Sequence, residues 1–320
     1  MAPQPSLDPA AIAAAFGLGR PLGEPVPTAR GELGRVWRLE TTRGRWAIKE
    51  PFEPPTEKSA LVDFEFQLAA LAAGVPMPRP LLARGGRVLA AIEGRSGRVV
   101  VRAYTWLDLV AAAPAARAPE AAAILGRIHA IGYPAGGRPI DWFTDPVGEE
   151  RWNDLLELAR RAPVEVSPLV EALLPELAAA EPLLPARHGD RLQRCHLDFN
   201  LDNVLLDAAG RLAIVDWENS GPASADQELA SALYEVVAEP TGTRAFLDAY
   251  EAAGGPGRIR GAESFAMALA VQGHLVQLYA RQAFATGSGA GSRERGAWRV
   301  RQIAARPLTL AAIDEYLAAR

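Results

Sequence analysis

The chain has 320 residues, 49% of them hydrophobic, and a formal net charge of −4, which is enough material for a full core and more natural for two domains than for one. The charge balance offers no basic surface for nucleic acid or an anionic membrane. Its single cysteine, Cys195, excludes an internal disulfide and a cysteine-rich metal site, so a cytoplasmic protein acting on a small molecule is expected.

In chain order, the opening MAPQPSLDPAAIAAAFGLG has no basic residue before its apolar stretch and is broken by Asp8 and prolines. It predicts a leading helix over 8–18 rather than a secretory signal. From Gly31 to Trp106 short strand-like runs recur: GRVWRLE, a turn at Thr41-Thr42-Arg43-Gly44, RWAIKE, GRVLAAIE and GRVVVRAYTWL, a small antiparallel sheet. One helix interrupts them, Lys58 to Ala73, with Leu61, Phe64, Leu68 and Leu71 at helical spacing, Glu65 among them, and Gly74 as the stop. AAAPAARAPEAAA reads as a loop leading into a helix. From Pro119 onward the pattern is mainly helical. The exception, NVLLDAAGRLAIVDW, predicts a hairpin of Val204–Leu206 and Leu212–Val215 turning at Ala208-Ala209-Gly210. No apolar run is long enough to span a membrane; the nearest, around Ser264 to Tyr279, is interrupted by Gln272, Gly273 and His274.

His-x-Asp occurs twice between His188 and Leu206, as His188-Gly189-Asp190 and His196-Leu197-Asp198. Phosphoryl transfer needs a carboxylate to accept a hydroxyl proton and magnesium ligands nearby in one loop. Five residues beyond Asp198 stands Asn203, an oxygen donor for a hard cation; five beyond Asp190 stands Cys195, a soft thiol. The second copy therefore carries the chemistry, with Asp198 as the base. The hairpin would return the chain and set Asp216, in IVDWE, beside Asn203 as a second metal ligand.

HLDFNLDN followed by IVDWE resembles the aminoglycoside phosphotransferase and choline kinase family, small-molecule relatives of the protein kinases. LGRIHAIG, EFQLAALAAGVPMPRPL and WAIKE extend the resemblance over roughly Gly31 to Ala230. It implies an α+β, bilobal, protein-kinase-like fold: an N-terminal nucleotide-binding lobe over 1–105 with an antiparallel sheet, and a larger helical lobe over 106–320 with the catalytic loop and acceptor site. It further implies ATP and Mg2+, with Lys49 on the α and β phosphates and paired with Glu65, and adenine held by backbone at Thr105 and Leu107. Only Lys49 and Lys58 are lysine among 34 basic residues, so lysine at 49 reads as required, a compact ammonium where a guanidinium would not fit. Gly31 and Gly34 in TARGELGR would let backbone amides approach the phosphates, although two such glycines also suit an ordinary turn.

Departures from the family pattern lie after Asp216. Ser224 and Glu228 stand where acids are expected, with Asp226 able to compensate, which leaves open how the catalytic loop is braced. Trp-Glu replaces Phe-Gly, so an activation segment regulated by phosphorylation is not expected. His129 and His196 read as structural, His196 in support of Asp198, Cys195 as a packed thiol, and His274 as a core histidine before a pocket residue. His188, Asp190 and Arg191 read as a polar loop.

The expected activity is transfer of the γ-phosphate of ATP to a small-molecule hydroxyl. Aminoglycosides call for carboxylates and choline for an aromatic cage. Acids at Asp141, Asp145, Glu149, Glu150, Asp154, Glu235 and Glu239, and aromatics at Trp142, Phe143, Trp152, Tyr234 and Tyr279, do not choose between them. The resemblance makes an antibiotic-modifying enzyme, and thus antibiotic resistance, the first expectation. The alternatives are a kinase for choline or a sugar, and a non-catalytic nucleotide- or ligand-binding protein. A P-loop is absent, since neither lysine follows a glycine.

Overall fold

The computed structural model describes residues 7–31, 33–94, 97–111, 117–161, 164–184, 191–285 and 289–320. They form two compact units, Met1–Ala112 with Asp202–Asn219, and Ala113–Leu201 with Ser220–Arg320. The hairpin that follows Asn203 thus belongs to the first unit, and the residues up to Leu201 that precede it to the second.

In the first unit an antiparallel sheet runs in the order Val26–Arg30, Gly34–Thr41, Gly44–Pro51, Gly97–Thr105, Pro80–Leu81, and Ala90–Gly94 also pairs with Gly97–Thr105. Thr41 faces Gly44 across a two-residue turn, as the sequence predicts. Alternation along the strands buries Trp37, Leu39, Ile48, Val101 and Ala103 against Ile12 and Phe16 of the leading helix, each large side chain contributing about 1.5–3 kcal/mol. That helix spans Pro9–Phe16, capped by Asp8, and is shorter than predicted because Gly17 turns left-handed at φ 68°. Gly34 sits where a Cβ would lie 2.6 Å from the Glu50 carbonyl oxygen, so only glycine lets these two strands close.

The helix Glu57–Ala72 is capped by Thr56, whose hydroxyl accepts from the Ser59 amide at 3.2 Å. Its buried face differs from the one the leucines predict. Leu61 and Leu68 are exposed, whereas Ala60, Asp63, Phe64, Gln67 and Ala70 form the buried stripe. The stripe has helical spacing but includes two polar residues that an apolar pattern passes over. Asp63 is accommodated because Arg102 reaches it at 3.3 Å, both side chains 4% exposed.

Strands Val204–Leu206 and Leu212–Ile214 form the predicted hairpin, joined by Val110–Ala111. Asp207 closes the turn by accepting the Ala209 and Arg211 amides, each at 2.9 Å. The second strand ends one residue before the predicted Val215, whose amide instead donates to the Asn203 carbonyl at 3.0 Å.

The second unit is helical: Ala118–Ala130, Glu149–Arg161, Ser167–Ala180, Ala225–Val236, Thr243–Ala252, Ala266–Phe284, Ala290–Ala305 and Leu310–Ala318. A core of Leu155, Val170, Leu174, Val276, Ala280 and Val300 joins several of them. Helix Ala118–Ala130 crosses Thr243–Ala252 at Gly126, where a Cβ would lie 2.5 Å from the Tyr250 carbonyl oxygen. A two-stranded ribbon, Leu192–Cys195 with Gly221–Ser224, begins just after the residues that the sequence reads as a polar loop, His188 to Arg191, and was not expected. Among the described residues no helix is long and apolar enough to cross a membrane.

Candidate active site

Lys49 lies on strand Gly44–Pro51 directly opposite Arg102, with Tyr104 two residues further along the partner strand, so the three side chains share one face of the sheet. The Lys49 ammonium is paired with Asp216 and, at 2.6 Å, with Glu218 Oε2. Tyr104 donates its hydroxyl to Glu218 Oε1 at 2.9 Å. Burial works against the lysine charge, but Glu218 and Asp216 together hold the ammonium above the ordinary lysine range. Desolvation raises the Asp216 carboxyl to about 6, with Lys49 pulling it down and Glu218 pushing it up. For Glu218 burial is outweighed by Lys49 and Arg102, and the carboxyl is held well below its usual range.

The predicted Lys49–Glu65 pair is therefore corrected. Glu65 projects from the exposed side of helix Glu57–Ala72, because the stripe containing Asp63 and Gln67 takes the buried side. The lysine's carboxylates come instead from the segment after the hairpin. Strand alternation could have placed Tyr104 and Arg102 beside Lys49, and Glu218 stands only two residues beyond the acid already singled out.

Asn203 and Asp216 flank the hairpin in the same unit. Asn203 is 7% exposed, and its carbonyl takes the Val215 amide, one residue before Asp216. Asp216 has φ +64°. Its neighbour Trp217 is buried, packs edge-on against Phe66 at 5.5 Å and donates its indole N–H to the Ile214 carbonyl at 3.3 Å.

In the second unit the half-buried Asp198 follows Leu197, whose φ of +65° is unusual for a bulky residue. Glu228 holds that backbone, accepting the His196 amide at 3.1 Å on Oε2 and the Leu197 amide on Oε1. His129 Nε2 lies 2.7 Å from Glu228 Oε2, and His129 Nδ1 2.7 Å from the Tyr250 hydroxyl, which accepts from the Gly257 amide at 2.9 Å. That amide leaves the Tyr250 proton for Nδ1, so Nε2–H is directed at Glu228. Burial opposes the Glu228 charge, yet His129 and the backbone donors hold its carboxyl below the usual range.

The bracing that the sequence leaves open thus comes from Glu228, with His129 in the structural role expected of it. Asp226 instead binds Arg260 and the Arg258 amide. Ser224 caps helix Ala225–Val236. His196 supports Asp198 locally, its Nδ1 accepting the Asp198 amide at 3.3 Å, while Asn200 Nδ2 donates to Asp198 Oδ1 at 2.6 Å. The first His-x-Asp copy, His188 to Asp190, lies outside the described residues.

Gly31 donates its amide to the Gly34 carbonyl at 3.0 Å, and the requirement at Gly34 is the strand contact already described. Thr105 spends its amide on the Arg79 carbonyl at 2.9 Å and its hydroxyl on the Arg79 amide at 2.9 Å. It therefore has no backbone donor left for a base, whereas the half-buried Leu107 lies beyond the strand end. Cys195 is fully buried, and burial pushes its thiol up.

On the helical unit Asp141, Trp142, Asp145, Glu149, Glu150 and Arg151 line an open depression of about 540 Å³. His274 stacks on Trp142 at 4.9 Å and 22°, with Nε2 3.0 Å from the Asp145 carbonyl. It is thus a satisfied, largely buried histidine at the floor of that depression.

Solved structures define the class of fold. The chain superposes on spectinomycin phosphotransferase in complex with ADP and spectinomycin with a TM-score of 0.64, at 10% identity over 96% of both chains. For the amicoumacin kinase in complex with AMP-PNP, Ca2+ and Ami the score is 0.60, at 16% identity over 92% of both chains. An aminoglycoside phosphotransferase from Alicyclobacillus acidocaldarius gives 0.60 at 15% identity over 98% of this chain and 94% of that one. The fold is kinase-like, an antiparallel-sheet region followed by a mainly helical one, as the sequence implied. No curated protein matches the chain in sequence. Residues 26–265 match the profile of the Phosphotransferase enzyme family, and the chain belongs to that family. It is an enzyme of the small-molecule phosphotransferase class.

Proposed function

We propose that the chain transfers the γ-phosphate of ATP, in the cytoplasm, to a hydroxyl of an aminoglycoside or another hydroxylated antibiotic. The observation that carries this reading is backbone strain. Among the described residues only Leu197 and Asp216 have positive φ outside glycine. One precedes the proposed base and the other is a proposed cation ligand. Each such conformation costs about 1–3 kcal/mol, and strain of this kind collects at functional sites.

In this reading Lys49 neutralises the phosphate chain, and backbone at Leu107 reads the adenine edge. Gly31 and Gly34, which carry no side chains, leave room for the phosphates beside the strand that follows. Asp198 receives the proton as the acceptor oxygen bonds to the γ-phosphorus and the bond to the bridging β–γ oxygen breaks, releasing ADP. Asn203 and Asp216 offer only oxygen donors, the set a magnesium ion prefers, so the residues fit that ion. When bound, it supplies positive charge against the charge developing on the phosphate oxygens.

Carboxylates at Asp141, Asp145, Glu149 and Glu150 beside Trp142 suit a polycation better than a neutral sugar, which supports an aminoglycoside before a sugar. Choline, which would need a cage of several aromatics, finds one tryptophan there. Purified protein screened for ATP consumption against aminoglycosides, other hydroxylated antibiotics, choline and sugars tests the assignment. Turnover with an antibiotic that vanishes in excess chelator is expected; turnover only with choline or a sugar moves the protein to metabolism. Nucleotide binding without turnover on any acceptor would leave a binding protein.

A further inference from the structure

We propose that Glu218, and not the helix carboxylate Glu65, is the positioning residue for Lys49 during turnover. The inference rests on the phosphotransfer reading and deepens it at one side chain. Both Glu218 oxygens are engaged, Oε2 with the Lys49 ammonium at 2.6 Å and Oε1 with the Tyr104 hydroxyl at 2.9 Å. The carboxylate is therefore fixed at two points on the face of the sheet that carries Lys49. Its side chain is 18% exposed, against 41% for Asp216.

Lys49 holds two carboxylates, and they differ in what else claims them. Asp216 is the more open and has the oxygen chemistry of a cation ligand, so it is the partner the lysine can lose. Glu218 is enclosed and tied to Tyr104, on the sheet face that also carries the buried Arg102. An ammonium left with one fixed carboxylate keeps two N–H donors for phosphate oxygens. Trp217, locked between Phe66 and the Ile214 carbonyl, keeps the short Asp216-to-Glu218 segment in register with the sheet. Glu65 lies on the exposed face of its helix, whereas the Lys49 ammonium is paired with Asp216 and Glu218.

The test compares Glu218→Gln with Glu65→Gln. Steady-state kinetics use whichever acceptor supports wild-type turnover, and ADP affinity is measured by calorimetry with and without magnesium. Losing one charge-assisted hydrogen bond predicts that Glu218→Gln raises the KM for ATP about tenfold or more. Magnesium-free ADP affinity should weaken alongside it, with Glu65→Gln unchanged in both. Because the chain has two lysines, side-chain NMR of lysine-labelled protein resolves Lys49 without ligand, and its signal should move in Glu218→Gln alone. Tyr104→Phe, which removes one hydroxyl, should raise the KM by a smaller factor and carries the test if Glu218→Gln does not fold. Losses confined to Glu65→Gln, or Glu218→Gln and Tyr104→Phe both like wild type, would overturn the assignment. So would a Glu218→Gln defect seen only with magnesium, which would make the residue a cation ligand instead. A wild-type protein that neither binds ADP nor turns over ATP would sink the functional reading itself.

Discussion

Leu197 and Asp216 share a rare backbone conformation, yet the two units hold them by opposite means. Leu197 is locked by a closed chain from Glu228 through His129 and Tyr250 to Gly257, in which Glu228 and His129 are essentially without exposure. Asp216 stands in a cluster where two carboxylates share one ammonium, and the pair can be rearranged without stranding a buried charge. Under the proposed function the difference matches two demands. A base must be held in one place before the acceptor arrives, whereas groups that grip phosphate and cation must exchange partners when those arrive.

Breaking the locked side at the reacting group should have the largest effect. Asp198→Asn keeps shape and removes charge, so turnover should fall about 10²–10⁴-fold with ADP affinity retained in calorimetry. On the exchanging side, Lys49→Ala should reduce kcat/KM for ATP about 10²–10³-fold, a loss typical of removing a charged stabilising donor. Comparable damage from Lys58→Ala would contradict the placement of Lys49.

Glu228→Gln should lower unfolding free energy by about 1–3 kcal/mol in urea melts, as for removing the charged acceptor of a buried hydrogen-bond network. Its pH dependence sharpens the comparison. The folded Glu228 carboxyl lies below its usual value, so its contribution is full above the unfolded pKa of about 4.3 and disappears as pH falls through the folded value. The gap between wild type and Glu228→Gln should therefore narrow below about pH 4; a gap that widens on acidification contradicts the network. Gly126→Ala, which pushes a methyl toward the Tyr250 carbonyl, should cost about 1–3 kcal/mol and shift kcat more than the KM for ATP. The smallest effect belongs to Lys58→Ala, within about 0.5 kcal/mol of wild type in the same melts.

The sequence was informative wherever chemistry is local. The hairpin after Asn203 and the long helices follow from period and turn residues. The errors concern pairs distant in sequence. An apolar pattern selected Leu61 and Leu68 for the core, whereas burial of Asp63 depends on Arg102, thirty-nine residues away in a strand. The pairing of Lys49 with Glu65 is what the family resemblance implies, and only the assembled sheet sets Glu218 beside that lysine. The ribbon Leu192–Cys195 was missed since a four-residue strand carries too little period to read.

Cys195 gives that ribbon a practical use. It is the chain's only thiol, fully enclosed, with Sγ 3.7 Å from the Ala223 carbonyl on the opposite strand. A thiol reagent can reach it only when the packing around it, which includes Ala223 of the opposite strand, Leu197 and Met267, opens. The rate of modification under native conditions is then a clock for opening of the packing next to Asp198, the proposed base. The molecule carries its own reporter there, and acceptors or nucleotides can be ranked by how far they slow it, with no label introduced.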